Sequence, residues 1–162
     1  MTEDLKQQGR AGLERIVLEH PFFANLAEKH GHLVIGCAKN VRFEAGEYLL
    51  REGEPASEFY LLREGRVALE IHTPGGPGHV IQTVGPGEIV GVSWLLPPYR
   101  WTFDARALEP VRAISLDAEC LRGKCSADHD LGYDMMMRFI PILVQRLQAT
   151  RLQLLDIYGR HD

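Results

Sequence analysis

The sequence predicts an α+β protein, mainly β. We expect a double-stranded β-helix or jelly-roll sandwich, preceded by short N-terminal helices and followed by a long C-terminal dimerisation helix. Three observations predict this class. Short strand-like segments follow one another at even spacing between residues 41 and 116. The 16 glycines and 9 prolines of the 162-residue chain indicate many turns. A heptad pattern of apolar residues occupies the last part of the chain.

The pattern predicts one domain over residues 1–162, with helices in 1–40, the β sandwich in 41–116 and helices again in 117–158. An apolar stripe in residues 10–19 stops before Pro21 and predicts the first helix. The apolar run at 33–35 predicts a second, short helix. Strands are expected between polar or glycine-containing turns, at residues 41–43, 48–50, 59–62, 67–71, 80–84, 101–108 and 111–116.

The C-terminal helix is expected over residues 131–158. Its apolar positions alternate at steps of four and three, which is typical of a helix that pairs with a second copy of itself. This dimer seam consists of Met136, Ile140, Leu143, Leu147, Thr150, Leu154 and Ile157. Pro141 lies inside the pattern and predicts either a kink or a late helix start near that residue.

Residues 84–108 are the stretch in which we expect a binding pocket. A glycine-rich turn at 85–88 leads into the apolar run 89–96, the break Pro97-Pro98 and an alternating segment at 101–108. Glycines, a helix-sized turn and a returning strand can make backbone N–H groups converge on a ligand.

Composition excludes several classes of function. A net charge of −4 and a pI of 6.0 argue against a nucleic-acid-binding face. No apolar run reaches the ~20 residues that a membrane span needs, and the N-terminus is not a secretory signal. Three cysteines without a CxxC pair predict reduced, mostly structural thiols and a cytoplasmic location.

Enzymatic and metal chemistry are not expected either. The seven histidines are scattered, so no metal site is predicted. A small β-barrel enzyme needs converging His and Glu ligands on adjacent strands, and none are visible. No catalytic residue is assigned, and the chain is expected to be non-enzymatic.

Three segments of the sequence resemble the cyclic-nucleotide-binding domain of the Crp/Fnr family. They are FEAGEYLLREGEPA at 43–56, FYLLREGRV at 59–67 and VGPGE at 84–88, and the resemblance extends over residues 13–158. The resemblance implies a jelly roll whose following long helix pairs in a dimer. It also implies a phosphate-binding cassette, here at 85–107.

In the family's cassette, a Gly-Glu pair and a later Arg-Ser/Thr-Ala triplet bind the nucleotide. The resemblance implies that the glutamate accepts a ribose hydroxyl and that the arginine, with backbone amides, neutralises the cyclic phosphate. Aligned on Ala105-Arg106-Ala107, this chain departs from that pattern at most of its cassette positions. The candidate ligand-binding residues are Gly91, Val92, Ser93, Arg100, Trp101, Thr102, Phe103 and Thr150.

The departures are specific. Gly91 matches the family glycine, but Val92 replaces the glutamate and Trp101 replaces the arginine. Thr102 matches the Ser/Thr and Phe103 replaces the alanine, whereas Arg100 is one residue away from the arginine position. Either Arg100 contacts an anion after a one-residue slip, or it is a solvated loop residue. Trp94, Trp101 and Phe103 either line a pocket or belong to the core.

Thr150, in the segment RLQAT at 146–150, matches the threonine with which the family's long helix contacts adenine. It either contacts a base or only sets the helix register, since it is the polar residue of the seam. Arg151 replaces the serine expected next. The family's transcription factors continue with a helix-turn-helix domain, whereas only GRHD follows here at 159–162, so we expect either a stand-alone sensor domain or a truncated form.

Two functions remain open at this point. The first is a regulatory ligand-sensing domain, with a cyclic nucleotide or another, less charged small-molecule effector. The second is a degenerate module that binds nothing and acts as a dimeric scaffold for a protein partner. A further alternative is that the chain is the sensor part of a transcriptional regulator that lacks its DNA-binding domain. The expected partner is a second copy through the C-terminal helix, with no direct contact to nucleic acid or membrane.

Overall fold

The structure is a computed structural model that describes the backbone of residues 2–159 and the side chains of residue 9 and of residues 11–159. Its helices are α1 (Thr2–Glu19), α2 (Glu28–Ile35), α3 (Ala118–Ala127) and α4 (His129–Gly159), with short 3-10 turns at Pro21–Phe23 and Ser93–Leu95. Eight strands lie between α2 and α3. They are β1 (Ala38–Phe43), β2 (Tyr48–Leu50), β3 (Glu58–Glu64), β4 (Val67–His72), β5 (Gly78–Val84), β6 (Ile89–Val90), β7 (Asp104–Ala107) and β8 (Val111–Asp117).

The strands form two four-stranded sheets in which every pairing is antiparallel. One sheet has the order β1-β8-β3-β6 and the other has the order β2-β7-β4-β5. Non-consecutive strands are neighbours in both sheets, which is the arrangement of a jelly roll. The predicted fold class is therefore confirmed.

Apolar side chains on these strands supply the core, and β3, β4 and β8 each have a run of four consecutive buried residues. Fully buried positions include Phe59, Leu61, Leu62, Val67, Ala105, Ala107, Ile114 and Leu116. Each large side chain in such a position stabilises the fold by roughly 1.5–3 kcal/mol. This set comes from β3, β4, β7 and β8, the inner strands that two neighbours cover in each sheet.

The turn between β3 and β4, which belong to different sheets and do not pair, shows why a glycine is needed there. Gly65 has a φ of +91°, and a Cβ atom there would lie 2.9 Å from Val111 Cα. An L side chain is therefore excluded both by its own backbone conformation and by β8. This turn carries the chain from one sheet to the other.

Contacts divide the chain into two compact units, residues 1–123 and residues 124–162. The second unit contains α4, which begins at His129 and includes Pro141. A late helix start near Pro141 is therefore wrong, because about three helical turns precede the proline. Among the described residues, no helix combines the length and the apolarity needed to cross a membrane.

The expectation that all three cysteines are reduced is wrong for two of them. Cys37, between α2 and β1, forms a disulfide with Cys120 in the first turn of α3. Cys125 is a free, half-buried thiol. The two bonded cysteines are 83 residues apart in the sequence. Only the antiparallel pairing of β1 with β8 brings them together, because Ala38 lies opposite Leu116.

A buried histidine joins the N-terminal segment to the sandwich. The Nδ1 atom of His20 accepts a hydrogen bond from the Phe22 backbone N–H at 3.1 Å, and its Nε2 lies 2.8 Å from the Leu62 carbonyl oxygen. Both contacts are satisfied by the neutral ring protonated at Nε2. Burial lowers the pKa of His20 below its ordinary value, because the charged ring would lose its hydration.

We predict that this histidine makes the protein less stable in mild acid. The unfolded chain binds a proton near pH 6.5, whereas the folded chain resists it. The free energy of unfolding should therefore fall as the pH drops from 6.5 towards the lowered pKa. His20→Gln should lower the urea midpoint at about pH 8. In this variant the midpoint should then decrease less, as the pH is lowered, than it does in the unmodified protein. Urea unfolding over a pH series checks this.

His79 is exposed and offers the matched control. The His79→Gln variant should show the same dependence of the urea midpoint on pH as the unmodified protein. Equal slopes in the unmodified protein and in His20→Gln would contradict the assignment of this proton to His20.

Candidate functional site

The segment between β6 and β7, residues 91–103, is fixed to the rest of the sandwich by backbone hydrogen bonds. The Gly53 N–H donates to the Trp101 carbonyl at 2.9 Å, and the Trp101 N–H donates to the Glu54 carbonyl at 3.0 Å. The Ala56 N–H donates to the Tyr99 carbonyl at 2.7 Å. Residues 99–101 are therefore held against the loop that follows β2. We call residues 91–103 the cassette loop.

The alternating pattern at 101–108 predicts a strand, but β7 begins only at Asp104. Residues 102 and 103 form a bend, and Trp101 pairs with the 53–54 backbone instead of extending β7. The expectation is wrong for 101–103, because the local alternation cannot distinguish a strand from a loop that pairs with a distant segment.

Gly91 and Trp101 are in direct contact. Gly91 has a φ of +104°, and a Cβ atom built there would lie 2.6 Å from Cη2 and 2.7 Å from Cζ3 of the Trp101 indole. Trp101 itself is only 5% exposed. The indole therefore rests on the bare backbone of Gly91, in the space that a glycine leaves open for a ligand.

The floor below this contact is also aromatic. Trp94 is fully buried, and its ring stacks on Phe59 with centroids 4.5 Å apart and planes 5° apart. The Cβ atom of Phe59 lies 3.4 Å from the position that a Gly91 Cβ would take. Gly91 thus has the Trp101 ring on one side and the Phe59 methylene on another, and its surroundings are apolar.

The other sequence-predicted residues differ in burial and in hydrogen bonding. Arg100 is exposed, and its Nη1 donates to the Gly53 carbonyl at 2.8 Å. Val92 and Ser93 are half-buried at the start of the 3-10 turn, where Val92 makes no side-chain capping hydrogen bond. Thr102 is exposed and Phe103 is half-buried. Of the predicted site residues, only Gly91 and Trp101 are brought together.

A cavity of about 270 Å³ lies beside the Trp101 indole. Its walls are Leu49, Leu50, Glu54, Pro55, Ser57, Glu58, Tyr60 and Trp101. Glu54 and Glu58 are its charged lining residues, so the cavity is acidic. The sequence analysis did not identify this cavity, because its lining residues come from both sheets.

Glu58 is part of a small polar network in this cavity. Its Oε2 atom accepts from Ser115 Oγ at 2.8 Å and from the Tyr60 hydroxyl at 3.4 Å. Its Oε1 atom lies 3.6 Å from Lys39 Nζ. Burial and the neighbouring Glu58 carboxylate raise the pKa of Tyr60 well above its ordinary value, so Tyr60 remains a neutral hydrogen-bond donor.

On the second sheet, an ion cluster ties the start of the 51–56 loop to β4 and β7. Arg106 donates to Glu70 Oε1 from Nε at 2.9 Å and from Nη2 at 2.7 Å. Asp104 accepts the Glu52 backbone N–H at 2.7 Å and lies 3.1 Å from His72 Nδ1. The hydrogen bond and charge of Glu70 raise the pKa of Arg106. Because the 51–56 loop pairs with Tyr99 and Trp101, this cluster indirectly positions the cassette loop.

Arg122 of α3 is a further contact that sequence reasoning missed. Its Nη1 donates to the Trp94 carbonyl at 2.6 Å, and its guanidinium lies 4.1 Å from the centroid of the Tyr99 ring. Trp94 and Tyr99 both belong to the cassette loop. Helix α3 is therefore linked to the loop by one residue, and no local pattern around Arg122 distinguishes it from a solvated helix residue.

In the C-terminal unit, Thr150 is exposed and its Oγ1 donates to the Arg146 carbonyl at 2.9 Å, within the same helix. The seam residues are exposed as well, from 36% for Met136 to 58% for Ile157. A different stripe of α4, with Leu131, Met135 and Phe139, is buried. No group of three or more His, Cys, Asp or Glu side chains in the described part of the chain is arranged to hold a metal ion.

Comparison with known proteins identifies the class of this domain. The model of the cyclic nucleotide-binding domain family matches residues 40–128. The match covers more than half of the chain, so the chain belongs to this family. The resemblance to the Crp/Fnr type of this domain is thereby confirmed.

Individual relatives agree with this assignment. A CRP-like cAMP-activated global transcriptional regulator of Mycobacterium tuberculosis is 29% identical over 117 residues, which cover 72% of this chain and 50% of the regulator. The chain thus spans about half the length of this curated relative.

Solved structures show the same architecture. A Geobacter metallireducens protein assigned to cyclic nucleotide binding has a TM-score of 0.74 at 28% identity, covering 83% of this chain and 97% of that protein. The Thermus thermophilus catabolite activator protein has a TM-score of 0.66 at 23% identity, covering 86% of this chain and 63% of that one, and shows the fold alone.

Proposed function

We propose that this protein is a non-enzymatic, regulatory ligand-sensing domain in which the usual cyclic-nucleotide site is closed by its own side chain. The observation that carries the proposal is the Trp101 indole lying against Gly91. A cyclic phosphate bound to the Gly91 backbone would have to displace this buried indole. The family membership supports a regulatory role, and the cassette substitutions support a departure from the family's usual ligand.

The lost contacts make a cyclic nucleotide a weak ligand. Val92 cannot accept a ribose hydroxyl, and Trp101 cannot neutralise a phosphate. Hydrogen bonds to charged groups contribute roughly 1.5–3 kcal/mol each. Losing two of them should weaken binding by roughly a hundred- to ten-thousandfold. Returning the indole to water adds to this cost.

The neighbouring cavity also disfavours an anion. Two carboxylates, those of Glu54 and Glu58, lie beside Trp101 against one neighbouring ammonium, that of Lys39 at 3.6 Å from Glu58. Arg100, the arginine nearest in sequence, is engaged with the Gly53 carbonyl. An effector without an ionised phosphate therefore suits the site better than a cyclic nucleotide does. The second candidate function, a scaffold that binds no small molecule, is favoured by the same indole if it simply completes the core.

Isothermal titration with cAMP and cGMP tests the proposal. The unmodified protein should give no heat of binding up to millimolar nucleotide. The double variant Val92→Glu/Trp101→Arg should bind cAMP at least about a hundredfold more tightly, because it restores the two charge-assisted contacts.

Two further variants make the titration decisive. Val92→Ile/Trp101→Leu also removes the indole but adds no polar group, so it should recover only the cost of displacing the indole and bind cAMP much more weakly than Val92→Glu/Trp101→Arg does. Micromolar binding by the unmodified protein that disappears in Arg100→Ala would contradict the proposal, because Arg100 would then replace the missing arginine.

We also propose that two chains pair through α4. The apolar seam residues repeat over three heptads, and their exposed side chains include Ile140 at 49%, Leu147 at 51% and Leu154 at 49%. A contiguous apolar stripe of this kind is costly in water and is typical of a covered surface. The alternation of four and three steps specifies the partner as another helix of the same pattern, which a second copy provides.

The dimer proposal predicts that Leu147→Lys dissociates the protein into monomers, because it places a charge in the middle of the seam. Leu152→Lys is the matched control, since Leu152 is 67% exposed but lies about 140° around the helix from Leu147. Light scattering after size exclusion should give a dimer mass for the unmodified protein and for Leu152→Lys. A monomer mass for the unmodified protein would contradict the proposed dimer. Monomer masses for both Leu147→Lys and Leu152→Lys would contradict pairing through the seam.

A further inference from the structure

The disulfide between Cys37 and Cys120 lies where the sandwich ends and α3 begins. The two Cα atoms are 5.8 Å apart, within the usual range for a disulfide. The Asp117 N–H also donates to the Cys37 carbonyl at 2.9 Å, and Asp117 Oδ1 accepts the Cys120 N–H at 2.9 Å. The first turn of α3 is therefore fixed to the turn before β1 by one covalent bond and a nearby backbone hydrogen bond.

Helix α3 connects this disulfide to the cassette loop. Arg122, two residues after Cys120, holds Trp94 by a hydrogen bond and Tyr99 by its guanidinium. A change in the position of α3 would therefore move Arg122, which contacts the cassette loop. A change in the loop would, in turn, act on the helix that carries Cys120. The disulfide and the loop thus share one rigid element, and α3 leads directly into α4.

The two sulfurs differ in their access to solvent. Cys37 is 4% exposed, whereas Cys120 is half-buried. An external thiolate can reach the Cys120 sulfur more easily, with Cys37 as the leaving group. The remaining thiol, Cys125, is a poor competitor. Burial and the nearby Asp128 charge raise the pKa of Cys125, which keeps it protonated and weakly nucleophilic.

We propose that Cys37 and Cys120 form a reversible dithiol–disulfide pair that sets how firmly α3 is held, and through Arg122 how firmly the cassette loop is held. The exchange partner is a low-molecular-weight thiol such as glutathione. This switch operates whichever effector the domain binds, so it is independent of the proposed closure of the nucleotide site.

The exchange is balanced in atoms and electrons. A glutathione thiolate attacks the Cys120 sulfur, the bond between the two cysteines breaks, and Cys37 leaves as a thiolate that takes up a proton. A second glutathione thiolate then attacks the glutathione sulfur of the mixed disulfide and releases Cys120 as a thiolate, which is also protonated. The protein gains two thiols, and two glutathione molecules become one glutathione disulfide.

The reduced form should keep its fold. The Ala118 N–H donates to the Ser57 carbonyl at 2.9 Å, and the pairing of β1 with β8 does not depend on the sulfurs. The effect of reduction should therefore concentrate in α3 and in the cassette loop. The rest of the sandwich, including the β4–β5 pair, should be unchanged.

The first experiment titrates the full chain in buffers of reduced and oxidised glutathione, followed by alkylation and mass spectrometry. The proposal expects the Cys37–Cys120 pair to be a disulfide when oxidised glutathione is in excess and a dithiol when reduced glutathione reaches millimolar concentration. A pair that stays oxidised in millimolar reduced glutathione is purely structural, and that result would overturn the proposal. So would a pair that stays reduced in an excess of glutathione disulfide.

The second experiment measures hydrogen exchange of the oxidised and the reduced protein. Reduction should speed the exchange of amides in 119–125 and in 93–99 by about tenfold or more, and should leave the β4–β5 amides unchanged. Cys125→Ser should respond to reduction as the unmodified protein does. Cys120→Ser should show the faster exchange in every buffer. Equal exchange of α3 in the two redox states, with the pair shown to be reduced, would also overturn the proposal.

Discussion

The contact between the Trp101 indole and the Gly91 backbone is the constraint on which the rest of the site depends. Gly91 can accept the indole only because it has no Cβ atom and adopts a positive φ. Trp101 reaches it only because its own backbone is paired with Gly53 and Glu54. The same two residue positions, in the family pattern, would receive a phosphate and its arginine. In the proposed function, one aromatic side chain takes the place of both the ligand and its charge partner.

The surroundings of the cassette loop support this exchange. Asp104 accepts the Glu52 backbone N–H at the start of the 51–56 loop, and Arg122 holds Trp94 and Tyr99 from α3. The loop is thus fixed by charges that lie outside its apolar centre. A regulatory signal that enters at this loop, or at the Cys37–Cys120 bond, acts on the same helix. Helix α3 is the element that both would bias.

Local patterns in the sequence were sufficient for most of the fold, because short apolar segments alternate with polar or glycine-containing turns and α4 repeats its heptads. They failed where a distant segment decides the structure. Residues 101–103 alternate like a strand, but the 53–54 backbone captures Trp101. Cys37 and Cys120 carry no local motif, and only the β1–β8 register brings them together. The motif pattern predicted that Val92 and Trp101 alter the cassette. That the indole fills it follows from a contact across ten residues of an irregular loop, which no periodicity encodes.

A double-mutant cycle on Gly91 and Trp101 tests the closure of the site most directly. Gly91→Ala in the unmodified protein must overcome its backbone conformation, the Phe59 Cβ contact and the indole, whereas in a Trp101→Leu background the indole contribution is removed and the backbone term of roughly 1–3 kcal/mol and the Phe59 contact remain. Urea unfolding should therefore show a clearly smaller loss of unfolding free energy for Gly91→Ala when the indole is gone. Equal losses in the two backgrounds would mean that the indole does not lie on Gly91, and that the phosphate site is open.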